Sequence, residues 1–220
     1  MRRYLPFIIV ICVALLAVGG GAFLYRTKRA ANPALKISKT ETERPGEIVH
    51  VLGPADAAVT LEEFGDFQCP PCGKVSEPIN QLQKQYNLRV IYREFPLPIH
   101  AHAKEAAYAA EAAARQGRFW QMHDLLYREQ AVWSQSLDAR ALFNAYAGML
   151  QLDLDRFKRD MDSSEVQRQV ELDQHRGTAI GVKNTPTIFV NNEALTSEQM
   201  NPAQLPATVE AAVKKAKPSS

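Results

Sequence analysis

The stretch Glu63-Phe64-Gly65-Asp66-Phe67-Gln68-Cys69-Pro70-Pro71-Cys72 indicates the fold of this chain more strongly than any other segment. Residues 61–67 read as the end of a buried strand, and residues 73–86 have the apolar spacing of a helix. The stretch therefore carries two thiols, two residues apart, from a strand to a helix N-terminus. Unpaired N–H groups and partial positive charge at a helix start stabilise a thiolate. The pattern predicts a redox site at which a small disulfide ring closes and reopens.

The cysteine count supports a catalytic role for this pair. The chain has three cysteines, and Cys12 lies in an apolar segment, where it reads as a small hydrophobic residue. One closely spaced pair does not make a disulfide-stapled scaffold. The alternative for a C-x-x-C pair is half of a zinc site, but zinc needs four ligands and no second cysteine pair exists. His100 and His102 have few candidate ligands nearby, so no metal site is predicted.

The N-terminal 29 residues predict a membrane anchor or a signal peptide. Residues 4–25 carry no charge and would span roughly 33 Å as a helix, enough for a bilayer core. Basic residues flank the run on both sides, so their distribution leaves the orientation open. The alternative is a cleaved signal peptide, with cleavage within Gly19-Gly20-Gly21-Ala22. Because the apolar run continues to Tyr25, the sequence favours the uncleaved single-pass anchor.

The charge balance does not indicate a nucleic-acid partner. The whole chain has 26 basic and 24 acidic residues, and five of the basic residues flank the apolar run, where no acidic residue lies. The remainder has 26 − 5 = 21 basic and 24 acidic residues, a net charge of −3. Without a basic stripe, binding to nucleic acid is not expected.

The rest of the chain reads as a polar linker followed by one α/β domain. Residues 30–47 are polar and contain two prolines, as in a tether. The domain over 48–213 has the order strand, strand, helix, strand, helical block (about 100–180), strand, hairpin and helix. Ser136 is the predicted cap of a helix over 137–150, and Asn191-Asn192 is the predicted hairpin turn. Residues 214–220 are expected to form a flexible tail.

This order resembles the thioredoxin fold, and the helical insertion resembles the DsbA-like thiol–disulfide oxidoreductases. The segments that carry the resemblance are 63–72, 93–100 (REFPLPIH), 106–107 (AA), 116–120 (QGRFW) and 184–191 (NTPTIFVN). Each motif is short, but they occur in the family's order over about residues 48–213. The resemblance implies that a redox-active Cys69–Cys72 disulfide carries out the chemistry and that no bound cofactor is needed.

The first cysteine of the pair is the predicted nucleophile. Cys69 lies nearest the helix start and on the exposed side, whereas Cys72, one turn further in, is the shielded resolving thiol. Pro70 and Pro71 stiffen the loop between them. Pro71 also removes a backbone N–H that could point at the Cys69 sulfur, so the site is expected to be a milder oxidant than a C-P-H-C site.

Three further site residues follow from the family resemblance. An acid six residues before the first cysteine is buried under the disulfide in the family, which makes Glu63 the predicted proton relay to Cys72. Strand alternation places Glu62 on the opposite face, so at most one of the two acids is expected to be buried. Thr185-Pro186 resembles the family's cis-proline loop, where the Thr185 backbone pairs with an extended substrate; the alternative is a trans proline at a strand start.

The sequence therefore predicts a thiol–disulfide oxidoreductase, most simply a dithiol oxidase, tethered to the cell membrane with its domain outside the cytoplasm. The alternatives are a disulfide reductase or isomerase, or a non-enzymatic peptide-binding or chaperone domain. Signal cleavage would instead leave a periplasmic or secreted protein. The expected partners are substrate proteins with thiols or disulfides and a membrane redox partner that resets the pair.

Overall fold

A computed structural model describes residues 50–216. The predicted anchor (1–29), the linker (30–47) and the last four residues of the predicted tail (217–220) lie outside the described residues. No helix between residues 50 and 216 is long and apolar enough to cross a bilayer. The predicted tail begins inside a helix, because the last helix continues to Ala216.

A mixed five-stranded sheet forms the centre of the described domain. Its strands are β1 (His50–Leu52), β2 (Thr60–Gly65), β3 (Arg89–Glu94), β4 (Thr187–Val190) and β5 (Glu193–Ala194). The order across the sheet is β1-β3-β2-β4-β5, with β2 and β3 parallel and the other pairs antiparallel. Asn191 and Asn192 form the β4–β5 turn with φ of 48° and 69°, which confirms the predicted hairpin.

One helix connects β2 to β3, six fill the segment between β3 and β4, and one ends the described chain. They are α1 (Pro70–Tyr86), α2 (Ala103–Ala114), α3 (Phe119–Arg128), α4 (Gln130–Trp133), α5 (Ala139–Met149), α6 (Leu154–Met161), α7 (Ser164–Ala179) and α8 (Leu205–Ala216). The thioredoxin-like α/β fold with a helical insertion is therefore present, as predicted.

Two helix starts differ from the predictions. Helix α1 begins at Pro70, three residues before the predicted start, because proline is tolerated in a first turn that needs no N–H. The cap of α5 is Asp138, whose carboxylate accepts the N–H of Ala141 at 3.0 Å. The predicted cap Ser136 instead accepts the N–H of Asp138 at 3.1 Å, one step earlier in the turn. The short helix α4 was not predicted.

Two large apolar clusters pack against α1. One joins the sheet to α1 and α8 through Leu61, Val75, Ile79 and Val209. The other lies among the inserted helices and reaches the start of α1; its largest fully buried side chains are Trp133, Tyr92, Phe67, Phe143 and Phe157. The first turn of α1 is thus supported from the sheet and from the insertion.

Both acids of β2 are buried, which corrects the prediction that only one would be. Glu62 is 3% and Glu63 is 2% exposed. Alternation does place them on opposite faces, but β2 is a central strand with helices on both sides. The Glu62 carboxylate accepts hydrogen bonds from Nε of Arg93 at 3.0 Å and Nε of Arg176 at 3.4 Å. Arg93 also donates to Asp173 at 3.0 Å, so Glu62 belongs to a buried ionic network.

Candidate active site

The end of β2 and the start of α1 hold the two cysteines. Cys69 is the N-cap residue of α1, with extended backbone (φ −73°, ψ 118°), and no side chain of the described domain caps the helix there. Its carbonyl accepts the N–H of Gly73 at 3.2 Å. Cys72 lies in the first turn and is fully buried. The structure carries Cys69 and Cys72 as free thiols.

The pKa values of the two thiols are shifted in opposite directions. The pKa of Cys69 is lowered from 9.0 to about 6, mainly because the Cys72 thiol donates a hydrogen bond to the Cys69 sulfur. Burial acts in the opposite direction and raises this pKa. The backbone N–H of Cys72 also stabilises that thiolate, while the charge of Asp66 opposes it. Burial raises the pKa of Cys72 well above its ordinary value, and the hydrogen bond that it donates to Cys69 raises it further. The pair thus divides into a stabilised thiolate and a thiol that keeps its proton.

Cys69 is less exposed than the sequence suggested. It retains only 4% of its surface, because the loop before β4 covers it. The Sγ atom of Cys69 lies 3.2 Å from the carbonyl oxygen of Thr185, to which the thiol donates. The hydroxyl of Thr185 is buried and has no hydrogen-bond partner in this geometry among the described residues. The nearby Thr185 side chain contributes to lowering the Cys69 pKa.

The Thr185–Pro186 bond is cis, which confirms that prediction. Together with α1, this loop borders a groove of about 470 Å³, and Thr185, which contacts the Cys69 sulfur, is one of the residues that line it. Pro71, Lys74 and Val75 line it from α1, and residues 184–187 line it from the loop. Met200, Asn201 and Pro202 form part of the remaining wall. A backbone carbonyl at the sulfur and an open groove alongside suit an extended peptide.

Glu63 lies on the face of β2 that meets the cysteines. Burial raises the pKa of this carboxyl from 4.5 to about 8, and the charge of Cys69 adds to the shift. Its Oε1 atom has no hydrogen-bond partner among the described residues. The charges of Glu63 and Cys72 also interact, which raises the pKa of Cys72. The carboxyl is therefore mostly protonated near neutral pH, and it lies close enough to Cys72 for the two charges to interact.

Two tyrosines that sequence reasoning missed lie under the same region. The hydroxyls of Tyr92 and Tyr127 are 2.8 Å apart and hydrogen-bonded, and burial raises the pKa of both. A Cβ at Gly65 would lie 2.6 Å from the Tyr92 hydroxyl, so the ring requires glycine there. Tyr127 comes from α3, 35 residues beyond its partner, and no local pattern links the two.

Asp66 organises the turn that precedes Cys69. Its side chain accepts the N–H groups of Gln68 at 2.7 Å and Leu97 at 2.8 Å, and its carbonyl accepts the N–H of Cys69 at 3.0 Å. Nδ1 of His100 donates to its Oδ2 at 2.7 Å. The backbone N–H of His102 donates to the Gln68 side chain at 2.6 Å. Both residues of the H-x-H motif thus stabilise this turn by hydrogen bonds.

A family model described as thioredoxin matches residues 46–211. The chain belongs to this thioredoxin family. Its fold is similar to that of oxidised BdbD from Bacillus subtilis, with a TM-score of 0.66 and 25% identity, over 83% of this chain and 100% of that one. A thioredoxin-like oxidoreductase from Silicibacter pomeroyi gives 0.62 and 26%, over 78% and 94%. Alpha-DsbA1 of Wolbachia pipientis shares the fold at 16% identity (TM-score 0.64; 79% and 94%). These similarities confirm the predicted resemblance to the DsbA-like family.

Curated relatives place a similar domain within longer proteins. The chain is 41% identical over 144 residues to Na(+)/H(+) antiporter NhaA 3 of Salinispora tropica, and 39% identical over 151 residues to the NhaA antiporter of Herminiimonas arsenicoxydans. The matches cover 64% and 68% of this chain but only 21% and 23% of those proteins. The chain thus matches only about a fifth of the length of these relatives.

Proposed function

We propose that this protein is a thiol–disulfide oxidoreductase that acts on protein thiols through Cys69 and Cys72, and that its main direction is dithiol oxidation. The observation that carries the proposal is that the pKa of Cys69 is lowered while that of Cys72 is raised. Cys69 is a stabilised thiolate in contact with Thr185, which lines the groove, and Cys72 is a buried thiol whose charge interacts with that of the neighbouring Glu63 carboxyl. The pair itself stores the two electrons, so the reaction calls for no bound cofactor.

The reaction proceeds by two thiol–disulfide exchanges. A substrate thiolate attacks Sγ of Cys69 in the Cys69–Cys72 disulfide; an S–S bond to the substrate forms, and the Cys69–Cys72 bond breaks. Cys72 leaves as a thiolate and takes a proton. A second substrate thiolate then attacks the substrate sulfur of the mixed disulfide and releases Cys69 as a thiolate. The substrate loses two electrons and the cysteine pair gains them.

Glu63 supplies the proton in this scheme. Its carboxyl is protonated near neutral pH because its pKa is raised to about 8, and its charge interacts with that of Cys72. Reoxidation reverses the transfer: the Cys72 proton returns to the carboxylate when a partner's disulfide or an oxidant-linked protein removes the electrons. A buried carboxyl of this pKa suits both directions at neutral pH.

The stabilised thiolate favours oxidation over reduction. Any interaction that lowers the Cys69 pKa stabilises the reduced form, and this makes the disulfide more oxidising. A reductase or isomerase is the alternative role for the same site. The test compares the rates of dithiol-peptide oxidation and insulin reduction by the purified domain, with Cys69→Ser as control. Faster insulin reduction would assign the opposite direction, and activity in neither assay would leave only peptide binding.

The groove beside Cys69 is the proposed substrate site. An extended segment would pair with the backbone of Thr185 next to its reacting sulfur, and its following residues would lie between α1 and the 200–202 loop. Lys74 is the only charged residue among those that line the described groove. Pro70 and Pro71 are exposed at the rim and hold the loop between the thiols in one conformation.

We also propose that residues 4–25 anchor the protein in the cell membrane, with the domain outside the cytoplasm and a membrane redox partner within reach. The support is the uncharged run joined by a polar linker to an oxidising domain. A phosphatase fused after Ser220 should be active, and a reporter that requires the cytoplasm should be silent there. The reverse pattern would contradict this topology. Carbonate extraction separates the anchor from a cleaved signal peptide, since only the anchored form stays with the membranes.

Pro71 sets the strength of the proposed oxidant. We expect Pro71→His to lower the Cys69 pKa and to raise the equilibrium constant for oxidising glutathione by about tenfold, equal to about 30 mV. The histidine restores an N–H at the second position of α1 and can carry a positive charge. Pro71→Gln restores only the N–H and should give a smaller shift. Thiolate absorbance against pH and equilibration with glutathione measure both quantities. Unchanged values in Pro71→His would contradict the helix-start argument.

A further inference from the structure

The side chain of Gln130, in the helical insertion, binds the backbone of Phe67 and Cys69, the two residues that flank Gln68. The Nε2 group of Gln130, on α4, donates one hydrogen bond to the carbonyl of Phe67 at 2.6 Å and another to the carbonyl of Cys69 at 3.0 Å. Both amide hydrogens are therefore used on two carbonyls that lie two residues apart. Gln130 is 61 residues from Cys69 in the chain, so the contact depends on how the insertion packs.

The first turn of α1 leaves space for this amide. A Cβ built on Gly73 would lie only 2.8 Å from Oε1 and 3.2 Å from Cδ of Gln130. Any larger residue at this position would push the amide away from the carbonyls that it binds. The Gly73 N–H donates to the same Cys69 carbonyl at 3.2 Å. The glycine and the glutamine thus form one arrangement around that oxygen.

Apart from Gln130, local backbone hydrogen bonds hold Cys69: its N–H donates to the Asp66 carbonyl and its carbonyl accepts the Gly73 N–H. Within residues 50–216 no side chain caps α1 at Cys69, and Pro70 and Pro71, which follow it, have no N–H to offer. The sulfur nevertheless needs a defined position, because hydrogen bonds from the Cys72 thiol and backbone N–H stabilise its thiolate. A disulfide holds the sulfur covalently, whereas a thiolate depends on the backbone to keep it near these donors.

We infer that Gln130 is a positioning residue for the nucleophile: it fixes the Cys69 backbone from the helical insertion and thereby stabilises the reduced form of the site over the disulfide form. The inference rests on the proposed function, because it concerns the balance between the two redox forms. It gives the insertion a direct part in setting that balance, in addition to covering the site.

The test uses two substitutions of Gln130 in the full chain. Gln130→Met keeps the length and removes the donor, while Gln130→Glu replaces the donor by a charge that repels both carbonyls. We expect the equilibrium constant for oxidising glutathione to fall about threefold to tenfold, the larger value equal to about 30 mV, and most in Gln130→Glu. The Cys69 pKa should rise. The Tm of the reduced form should fall more than that of the oxidised form.

The matched control is Gln135→Met, an exposed glutamine five residues away with no hydrogen bond among those described. It should leave the equilibrium constant and both Tm values unchanged. Equal losses of Tm in the two redox forms of Gln130→Met, with the equilibrium constant unchanged, would show a merely structural contact and would overturn the inference. Failure of the proposed function is distinguishable, because the unsubstituted protein would then not exchange with glutathione at all.

Gly73 provides an independent approach to the same contact. Gly73→Ala should lower the equilibrium constant by displacing the Gln130 amide, although alanine itself favours the helix. Adding Gln130→Ala to it should produce no further fall, because the contact is already lost. Full additivity of the two effects would mean that Gly73 does not act through Gln130, and it would contradict the arrangement described above.

Discussion

We expect Cys69→Ser to reduce thiol–disulfide exchange to the rate of the buffer alone, and Cys72→Ala to accumulate mixed disulfides between Cys69 and substrate proteins. Serine has no sulfur to form the mixed disulfide. Without Cys72, the second thiol that would resolve it intramolecularly is absent. Mass spectrometry of protein trapped at neutral pH identifies the linked sulfur. Mixed disulfides through Cys72 in the Cys69→Ser protein would reverse the assigned roles.

Alkylation of the reduced protein tests the same assignment without a substitution. The Cys69 pKa is lowered to about 6, while burial raises that of Cys72. At pH 7 Cys69 is therefore mostly thiolate and Cys72 is not, so limiting iodoacetamide should label Cys69 first. Labelling should fall as the pH drops through 6. The Cys69→Ser protein is the control, and it should take up little label at neutral pH.

The second large effect is expected from Glu63→Gln, which should stabilise the protein at neutral pH. The pKa of Glu63 is raised from 4.5 to about 8 in the fold, mainly by burial. Between these values the folded state holds a proton that the unfolded state releases, so the stability of the natural protein falls as the pH rises through this window. Glutamine does not titrate. The gain in unfolding free energy should be near zero at pH 4 and roughly 3 kcal/mol at pH 7.

Urea unfolding from pH 4 to pH 8 measures this difference in both redox forms. The gain should be larger in the reduced form, because the charge of Cys69 adds to the raised pKa of Glu63. Glu62→Gln is the matched control on the opposite face of β2. It removes a carboxylate that Arg93 and Arg176 bind, so it should destabilise the protein. Loss of stability in Glu63→Gln as well would mean that the Glu63 carboxyl is ionised in the fold.

The same substitution should slow the exchange reaction. Glutamine cannot give a proton to the departing Cys72 thiolate, so we expect oxidation of a dithiol peptide to slow about tenfold to hundredfold at pH 7. Glu62→Gln should leave the rate of the folded protein unchanged. A gain in stability together with a loss of rate is the combination expected of a buried proton carrier.

The parts of this protein that the sequence predicted well depend on short-range relations. The strand that ends near Gly65, the helix that follows the C-x-x-C pair and the Asn191-Asn192 turn all show in neighbouring residues, because strand and helix periodicities and turn conformations are local. The order of motifs was enough to indicate the thioredoxin family, which the match over 46–211 confirms. Local signals were weakest at helix ends, as the cap at Asp138 and the start at Pro70 show.

Contacts across the chain were decided only by the tertiary structure. Alternation separated Glu62 from Glu63 correctly, but only the packing of helices on both faces of β2 buries the two acids together. Thr185 covers a sulfur 116 residues before it, and Gln130 binds a carbonyl 63 residues before it. No periodicity records such pairings, because they arise when separate elements meet. The sequence by itself determined which residues could do redox chemistry; packing decided which side chains surround the thiols and thereby their acidity.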